Sequence, residues 1–288
     1  MVLDSDGQPE LIDAPEPSGP GQLVHVRACG LCGSDVEKLG RAAAGTVLGH
    51  EVEGELADGS RVTVAHRVSC GRCARCAAGH ESTCAEFATL RIDPGGFVER
   101  LHATHPVPLP ATLGQQEGVW VEPLACVLRA AERLPAGRAL VVGCGAVGLL
   151  WVQVLLRRGN SVVAADVRAE RLALARRLGA VADDDPVEAA VLTAAAGVNE
   201  ALRRLSPGGT LLVFSAPDEP VATSLDAVYR KELTVAGSRS ATLADFHSAI
   251  DLLPSLVLPP VVTLPLERFA EGLDLYASGT ALKVVFAP

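Results

Sequence analysis

The spacing of apolar and polar residues differs between the two parts of this chain. The first part has the alternation typical of strands, and the second also has the spacing typical of helices. Residues 22–30, QLVHVRACG, alternate as a half-buried strand does, and short strands and turns are expected from there to about residue 105. From residue 139 onward, apolar strands alternate with amphipathic helices. Such alternation predicts a parallel sheet with right-handed crossovers, so an α/β segment is expected to follow a β-rich one.

The elements expected in the α/β segment have definite bounds. A helix is expected to begin near Glu122, which precedes Pro123, because proline fits the first turn of a helix. The other elements are a strand, turn and helix start at 139–148, strands at 161–166, 188–195, 210–216 and 232–238, and helices at 167–180, 198–209 and 242–253.

The turn within ALVVGCGAVG carries the first candidate for chemistry. Its glycines match G-x-G-x-x-G, in which they allow the turn, the approach of a pyrophosphate and the packing of helix on strand. Asp166, 18 residues after the last of them, stands close to where an acid binds the ribose of a dinucleotide. A plain strand–helix turn is the alternative interpretation. The candidate cofactor-binding residues of the turn are Gly143, Gly145, Ala146, Val147 and Gly148.

Composition narrows the class of protein. With 288 residues, 49% of them hydrophobic and 20% charged, the chain is expected to be globular, with two domains or one large one. Its net charge, 25 − 34 = −9, argues against nonspecific binding to nucleic acid or to anionic membranes, since both need surplus Lys and Arg. No signal peptide is evident, and no apolar run approaches the ~20 residues of a membrane span. We therefore expect a cytoplasmic protein.

Four of the eight cysteines form one compact motif. Cys70, Cys73, Cys76 and Cys84 have the spacing C-x₂-C-x₂-C-x₇-C, and in a cytosolic chain such close spacing favours metal over disulfides. Four thiolates fill a tetrahedron, so the motif predicts a structural zinc with no open position. The alternative is an iron–sulfur cluster, but the Cys-Pro ending typical of a ferredoxin run does not occur here.

A second candidate metal site combines residues from separate segments. Cys32 ends a glycine-flanked turn in CGLCGSD, and His50 and Glu51 are adjacent in VLGHEVEG. Zn²⁺ accepts sulfur and nitrogen ligands together, so Cys32 and His50 suit it, although each alone could be an ordinary buried side chain. His66 and the other histidines have no partner in the sequence and are expected to be surface or hydrogen-bonded residues.

Together these pieces resemble the zinc-dependent medium-chain dehydrogenase/reductase family of alcohol, polyol and threonine dehydrogenases. The motifs occur in the family's order over nearly the whole chain: CGLCGSD, GHEVEG, the four-cysteine lobe at 70–84, GGFVE, VEPLA, VVGCGAVG, SPGGTLLVF, YRKELTVAGS and ALKVVFAP. The resemblance implies a GroES-like β-rich catalytic domain formed by residues 1–121 and 254–288. It implies a Rossmann domain, a doubly wound parallel sheet, at 122–253, whose glycine turn would face a catalytic zinc across a cleft.

The resemblance also implies roles for residues of the second metal site. It makes Cys32 and His50 ligands of the catalytic zinc, with Glu51 or Glu122 as the remaining protein ligand, and the choice between the two carboxylates stays open. Cys126, four residues after Glu122, ranks below Glu122 for this position. Asp35 matches a residue that orients a ligating histidine, as zinc-bound histidines require.

The path of the substrate proton follows from the same resemblance. Ser34 matches the hydroxyl that contacts the substrate alcohol and begins this path. Many relatives have a histidine two residues after the Asp, and Glu37 stands there in this chain. The usual relay is therefore altered or absent, with Glu37 as the candidate replacement.

The cofactor is expected to be NAD rather than NADP. The carboxylate of Asp166 would accept hydrogen bonds from the ribose and repel a 2′-phosphate. Arg168 tempers this expectation because it could pair with that phosphate. Arg239 and Lys283 are ambiguous between a role near the cofactor and a surface position.

The implied function is the interconversion of a secondary alcohol and its ketone with zinc and NAD(P). The branch of the family suggests a polyol, cyclitol, amino-sugar or hydroxy-amino-acid substrate, a biosynthetic role, and a homodimer or homotetramer. The alternatives are a zinc-independent double-bond reductase of the same fold and a non-catalytic nucleotide- or redox-sensing zinc protein. Residues 179–202 are abbreviated relative to the family, so fewer elements are expected there, with Asp183–Asp185 as a solvated turn.

Overall fold

A computed structural model describes residues 1–215, 220–223 and 225–288 of the chain. These residues divide into two compact units. The first consists of Met1–Ala125, Ala241–Ser255 and Pro259–Pro288, and the second of Cys126–Ser240 and Leu256–Leu258. The helix at Leu243–Leu252 therefore belongs to the first unit, whereas the expected domain bounds placed it in the second segment.

Strands and helices are numbered along the described part of the chain. The strands are β1 (Val2–Leu3), β2 (Pro9–Glu10), β3 (Gln22–Gly30), β4 (Glu51–Glu55), β5 (Arg61–Val64), β6 (Ile92–Asp93), β7 (Arg100–Ala103), β8 (Pro106–Pro108), β9 (Arg138–Val142), β10 (Ser161–Ala165), β11 (Val187–Leu192), β12 (Leu205–Val213), β13 (Thr234–Gly237), β14 (Val261–Pro265) and β15 (Lys283–Ala287). The helices are α1 (Gly33–Val36), α2 (Ala74–Ala77), α3 (Val121–Ala131), α4 (Ala146–Arg157), α5 (Ala169–Arg177), α6 (Val198–Arg204), α7 (Leu225–Arg230), α8 (Leu243–Leu252) and α9 (Phe269–Ala277). None of the helices in the described ranges combines the length and the apolar composition that crossing a bilayer requires.

The first unit is built on a mainly antiparallel sheet. Its strands follow the order β14-β15-β3-β4-β5-β8, and β7 pairs with both β3 and β6. The predicted strand at 22–30 is confirmed as β3, which alternates in burial over its first half and is fully buried at its end. Strand β15, from the end of the chain, pairs antiparallel with β3 through Phe286 and Cys29. The C-terminal segment thus completes the sheet that the N-terminal segment begins.

Aromatic side chains fill part of the core of the first unit. Phe97, Phe269 and Phe286 are each at most 3% exposed. Their ring centroids lie 4.5 to 5.4 Å apart, in edge-to-face and stacked arrangements. Rings at such distances gain favourable quadrupole contacts beyond the burial of apolar area. This cluster joins α9 and β15 to the loop before β7.

The second unit contains the predicted parallel sheet. Its strands follow the order β10-β9-β11-β12-β13, and each neighbouring pair is parallel. The residues of β9 and β11 are almost continuously apolar and buried, as expected for strands with helices on both faces. The strand, turn and helix start predicted at 139–148 are confirmed by β9 and α4.

One helix boundary in the second unit was predicted wrongly. The helix expected at 198–209 ends at Arg204, because the chain turns into β12 at Leu205, which pairs with Val187. Long-range strand pairing therefore decides the structure of the SPGG segment, which the local sequence pattern had assigned to the helix. The strand expected at 210–216 corresponds to the end of β12 at Val213, and its last residue, Ala216, lies outside the described residues.

In the described structure, the abbreviated segment contains β11 and, between α5 and β11, only a single bridge of a further strand. Val181 forms a single bridge with Val163, in which the Val181 N–H donates to Val162 O at 2.9 Å and the Ala164 N–H donates to Val181 O at 2.9 Å. This bridge borders β10, the edge strand of the sheet. Residues between α5 and β11 therefore add only this one bridge to the edge of the sheet.

The acidic turn that follows is only partly solvated. The side chains of Asp184 and Asp185 are 86% and 78% exposed, as expected. Asp183, in contrast, forms ion pairs with Arg138 and with Arg204, whose side chain is 2% exposed. Asp183 thus neutralises a buried arginine beside the starts of β9 and β12, a role that its position in an acidic run did not reveal.

Lys231 caps the C-terminal end of α6, and we expect its removal to destabilise the second unit. Its ammonium donates hydrogen bonds to the carbonyl oxygens of Leu202, Arg203 and Leu205 at 2.8 to 3.0 Å. Because these carbonyls carry the negative end of the helix dipole, Lys231→Met should lower the free energy of unfolding by about 1–2 kcal/mol. Guanidinium chloride unfolding measures this change.

The matched control for Lys231 is the neighbouring residue Arg230. Its guanidinium pairs with Asp226 at the surface, with both side chains at least 60% exposed. Since exposed pairs contribute little, Arg230→Met should cost less than about 0.5 kcal/mol. Equal effects of the two substitutions would show that Lys231 does not act as a cap.

Candidate metal centres and cofactor turn

The first candidate metal centre forms where β3 ends and β4 begins. Gly30 and Glu51 are register partners in the antiparallel pair, so Cys32 and His50 emerge side by side from adjacent strand ends. One ligand atom from each of Cys32, His50 and Glu51 lies within 4.8 Å of the others. The structure thus places Cys32 and His50 beside Glu51, one of the two carboxylates between which the sequence left the choice open. Thiol, imidazole and carboxylate donors this close together fit a zinc ion.

Asp35 holds in place the two backbone segments that carry Cys32 and His50. Its carboxylate is 1% exposed and accepts hydrogen bonds from the backbone N–H groups of Cys32 and Gly49, each at 3.2 Å. The bond to Cys32 is half of a capping box at the start of α1, which explains why a short helix forms here. The carboxylate also lies 3.3 Å from Nδ1 of His50.

The contact between Asp35 and His50 orients the imidazole. Burial alone opposes ionisation of both side chains, but their mutual attraction lowers the pKa of Asp35 and raises that of His50 well above its ordinary value. Nδ1 of His50 is engaged by this carboxylate, which leaves Nε2 as the nitrogen for a metal. A carboxylate behind the histidine is the arrangement that fixes the tautomer of a metal ligand.

Glu51 has a partner that the sequence did not identify. The ammonium of Lys283 on β15 donates to Oε2 of Glu51 and, at 3.3 Å, to the carbonyl of Leu31. Lys283 is 4% and Glu51 2% exposed, so this is a fully buried ion pair. Burial alone lowers the pKa of Lys283, but the charge and hydrogen bond of Glu51, together with the charges of Cys32 and Glu122, raise it above its ordinary value. Lys283 thus belongs beside the metal centre, and its ammonium also lies 5.5 Å from the ring centroid of Trp120.

The other predicted residues lie around this group. Glu122 is 7% exposed in the first turn of α3 and contributes to the electrostatic environment of Lys283, but its carboxylate is not part of the three-residue group found among the described residues. The Ser34 hydroxyl lies 3.5 Å from the sulfur of Cys32. Glu37 is exposed at the C-terminal end of α1.

His66 lies against the metal centre, contrary to expectation. Its ring centroid is 4.7 Å from that of His50. Within the described residues its Nδ1 is buried and has no hydrogen-bond partner. Burial, followed by the charge of His50, lowers the pKa of His66 well below its ordinary value. His66 is therefore half-buried, and its Nδ1 is not satisfied within the described residues; its position two residues after β5 was the only signal in the sequence for this.

The four-cysteine motif forms the second candidate centre. One sulfur from each of Cys70, Cys73, Cys76 and Cys84 lies within 4.8 Å of the others, and all four are free thiols. The sulfur of Cys84 lies 3.5 Å from the N–H of Cys70, and this hydrogen bond lowers the pKa of the Cys84 thiol to about 6. A thiol that ionises readily among three others fits a zinc ion.

The glycine turn has the shape of a phosphate cradle. A Cβ atom on Gly148 would lie 1.9 Å from Gly143 O, so helix α4 can approach β9 only with glycine there. A Cβ on Gly145 would meet only Arg171 Nη1, at 4.0 Å, so this side of the turn is open. Gly145 is the N-cap of α4, and because glycine has no side chain it does not cap the first N–H groups of the helix. The first N–H groups of the helix, including those of Ala146 and Val147, thus fit an anionic group of a cofactor.

Asp166 is held against this turn. Oδ2 accepts a hydrogen bond from the N–H of Cys144 at 2.6 Å, and Oδ1 accepts one from the N–H of Arg168 at 2.8 Å. The Arg168 guanidinium lies 3.9 Å from the carboxylate of Glu170. The negative charge of Asp166 is therefore fixed beside the glycines, as its spacing in the sequence predicted.

Comparison with known proteins decides the family. Residues 19–111 match the alcohol dehydrogenase GroES-like domain, and residues 146–255 match the zinc-binding dehydrogenase domain. The chain is 31% identical to L-threonine 3-dehydrogenase from Bacillus velezensis over 92% of this chain and 91% of the relative. The chain belongs to the zinc-binding dehydrogenase family. The family, the fold class and the class of enzyme predicted from the sequence are thereby confirmed.

Other similar proteins include further dehydrogenases. D-altritol 5-dehydrogenase from Agrobacterium fabrum is 32% identical over 77% of each chain. The structure of galactitol-1-phosphate dehydrogenase from Escherichia coli is 25% identical, with a TM-score of 0.85 that covers 100% of this chain and 99% of that one. The zinc-binding dehydrogenase fold thus accounts for the whole chain, including its abbreviated segment.

Proposed function

We propose that this zinc-binding dehydrogenase oxidises a secondary alcohol to a ketone, or reduces the ketone, with NAD as the hydride carrier. The observation that carries the proposal is the group of Cys32, His50 and Glu51, with Asp35 behind the histidine. Three protein ligands leave the fourth position of a tetrahedral zinc for the substrate, and Asp35 provides a means of orienting the imidazole.

Each residue of the group has a distinct task in this proposal. Cys32, His50 and Glu51 hold the catalytic zinc, and Glu122, which lies outside their group, remains the second candidate for the carboxylate position. When bound, zinc supplies Lewis acidity at the substrate oxygen, and the nicotinamide supplies or accepts a hydride. Asp35 keeps His50 in the tautomer that presents Nε2. The four-cysteine motif holds a structural zinc.

Ser34 and Glu37 handle the proton of the substrate hydroxyl. Ser34 stands two residues from Cys32, and its hydroxyl lies 3.5 Å from the Cys32 sulfur. It accepts the alcohol proton during oxidation and returns one during reduction. Glu37, exposed at the end of α1, exchanges that proton with water in place of the histidine found in many relatives.

NAD is the proposed cofactor. Gly143, Gly145 and Gly148 bind its pyrophosphate at the start of α4. The fixed carboxylate of Asp166 supports ribose binding and repels a 2′-phosphate, while the neighbouring Arg168 faces Glu170. The arginine that could have favoured NADP is thus partly neutralised.

A polyol, cyclitol, amino sugar or hydroxy-amino acid is the proposed substrate. The similarity to threonine and altritol dehydrogenases supports this range. We also propose a catalytic domain at 1–121 and 254–288, a dinucleotide-binding domain at 122–253, and a homodimer or homotetramer. The two compact units support a division of this kind, with their own boundaries at Ala125 and Ser240.

Metal analysis and a substrate screen test the proposed function. The purified protein should contain two zinc ions per chain and oxidise at least one polyol or hydroxy-amino acid. The value of kcat/KM should be at least about tenfold higher with NAD than with NADP, a difference of about 1.4 kcal/mol, because the carboxylate of Asp166 would repel the 2′-phosphate of NADP. One zinc ion, or reduction of an activated double bond without metal, would contradict the proposal.

A further inference from the structure

A second glutamate on β4 is buried without being part of the metal centre. Glu53 follows Glu51 by two residues, so both side chains leave the same face of the strand. Glu53 is 3% exposed, and its Oε1 accepts hydrogen bonds from Nε and Nη2 of Arg61 at 3.2 and 2.7 Å. A buried carboxylate needs such a partner, but Arg61 uses only one of its two oxygens.

The remaining groups of this ion pair bind one loop. Oε2 of Glu53 accepts a hydrogen bond from the buried N–H of Gly118 at 2.7 Å. Arg61 donates from Nη1 to Leu113 O at 2.6 Å and from Nη2 to Gly114 O at 2.7 Å. The pair therefore fixes the backbone of residues 113–118 at three points. We call this arrangement of Glu53, Arg61 and residues 113–118 the loop clamp.

The loop clamp leaves no space for a side chain at Gly118. A Cβ atom there would lie 2.6 Å from Cδ1 of Leu109 and 2.7 Å from Oε2 of Glu53. Two residues later the chain reaches Trp120, which is 1% exposed and whose ring lies under the ammonium of Lys283. The clamp is thus connected through Trp120 to the lysine that pairs with Glu51.

We propose that Glu53 is a positioning residue of the catalytic site: through Gly118 it holds Trp120, and through Trp120 it sets the place of Lys283 beside Glu51. This inference rests on the proposed function, because Glu51 acts there as a metal ligand. Glu53 lies outside the group of candidate metal ligands. Its effect is transmitted by one rigid loop, and misplacement by about 1 Å is enough to cost up to about 100-fold in rate.

The neighbouring Glu55 shows what an ordinary ion pair on this strand looks like. It pairs with Arg27 at 2.7 Å, with 34% and 60% of the two side chains exposed, and solvent screens it. Within the described residues, the carboxylate of Glu55 accepts side-chain hydrogen bonds from Arg27 alone and none from a loop. Glu55→Gln is therefore the matched control for Glu53→Gln, since strand, substitution and type of partner are the same.

The test combines kinetics with fluorine NMR of the zinc-loaded protein. The chain has two tryptophans, so labelling with 5-fluorotryptophan gives two resonances, which Trp151→Phe assigns. Glu53→Gln replaces one carboxylate oxygen by an NH₂ group. This group would face a donor, either the Arg61 guanidinium or the N–H of Gly118, so the loop should shift. We expect the Trp120 resonance to move, the Trp151 resonance to stay, and kcat to fall by about 10- to 100-fold with the KM for NAD within about twofold.

A second variant keeps both charges of the Glu53–Arg61 pair and disturbs the loop instead. Gly118→Ala introduces the Cβ that has no space, so it should move the same resonance and lower kcat even if Glu53→Gln fails to fold. Glu55→Gln should change neither. An unchanged Trp120 resonance in both variants, or a moved resonance with unchanged kcat, would overturn the inference, as would a loss of kcat without any movement of Trp120.

The same samples separate this inference from the proposed function. A parent protein that binds two zinc ions but turns over no alcohol would overturn the proposed function. Movement of the Trp120 resonance in Glu53→Gln would still support the loop clamp, and its absence would still refute it. If the parent is active and the variants match it in rate and spectrum, the inference alone fails.

Discussion

Cys32→Ser should abolish turnover while the protein keeps its fold and one of the two zinc ions that we propose for it. Cys32 supplies the only sulfur in the described group with His50 and Glu51. A serine hydroxyl does not ionise at neutral pH and is a poor zinc ligand, so the catalytic ion is lost. Because the ion supplies several kcal/mol of charge stabilisation at the substrate oxygen, we expect kcat to fall by more than about 10³-fold.

The metal content shows where this loss arises. The four-cysteine motif lies apart in the sequence and should retain its ion, so zinc analysis should change from two equivalents to one. Circular dichroism and the unfolding midpoint should change little. A Cys32→Ser protein that keeps two zinc ions and turns over within about threefold of the parent would place the catalytic centre elsewhere.

Cys126→Ser is the control for this prediction. Cys126 lies in α3, and within the described residues it belongs neither to the group of Cys32, His50 and Glu51 nor to the four-cysteine motif. Its replacement removes a thiol of the same kind, and we expect zinc content and kcat to remain unchanged. Loss of one zinc ion in Cys126→Ser would instead make this cysteine a ligand in place of Glu51 or Glu122.

The local parts of the site could be predicted from sequence because each is encoded within a few residues. The glycine turn and Asp166 lie on one strand–helix–strand unit, and their spacing follows from its geometry. Cys32 and Asp35 belong to a single helical turn that caps itself. In both cases the residues that act together are also neighbours in sequence, so pattern and chemistry coincide.

The remaining parts depend on contacts between distant segments. Glu51 and Lys283 are separated by 232 residues, and only the pairing of β15 with β3 brings them together. A lysine between apolar residues in ALKVVF was a signal for burial, but it did not identify the partner. Likewise, the pairing of Leu205 with Val187 decided where α6 ends. Local periodicity contains no information on either pairing.

Lys283→Met should destabilise the first unit more than any surface substitution. The ammonium of Lys283 neutralises a carboxylate that is 2% exposed, so its removal leaves the charge of Glu51 buried without its cation. Breaking such a pair costs about 3–5 kcal/mol. Chemical denaturation of the metal-free protein measures this loss directly, since zinc would otherwise compensate part of the charge.

The decisive comparison is a double-mutant cycle between Lys283 and Glu51. Glu51→Gln alone leaves a buried ammonium and should also be destabilising. The double variant leaves no buried charge and should recover a large part of the loss, with a coupling free energy above about 2 kcal/mol. The Arg27–Glu55 pair serves as reference, because it is exposed and its removal should cost less than about 1 kcal/mol. Additive single effects, or equal costs for Arg27→Met and Lys283→Met, would show that the buried pair does not hold β15 against the metal centre.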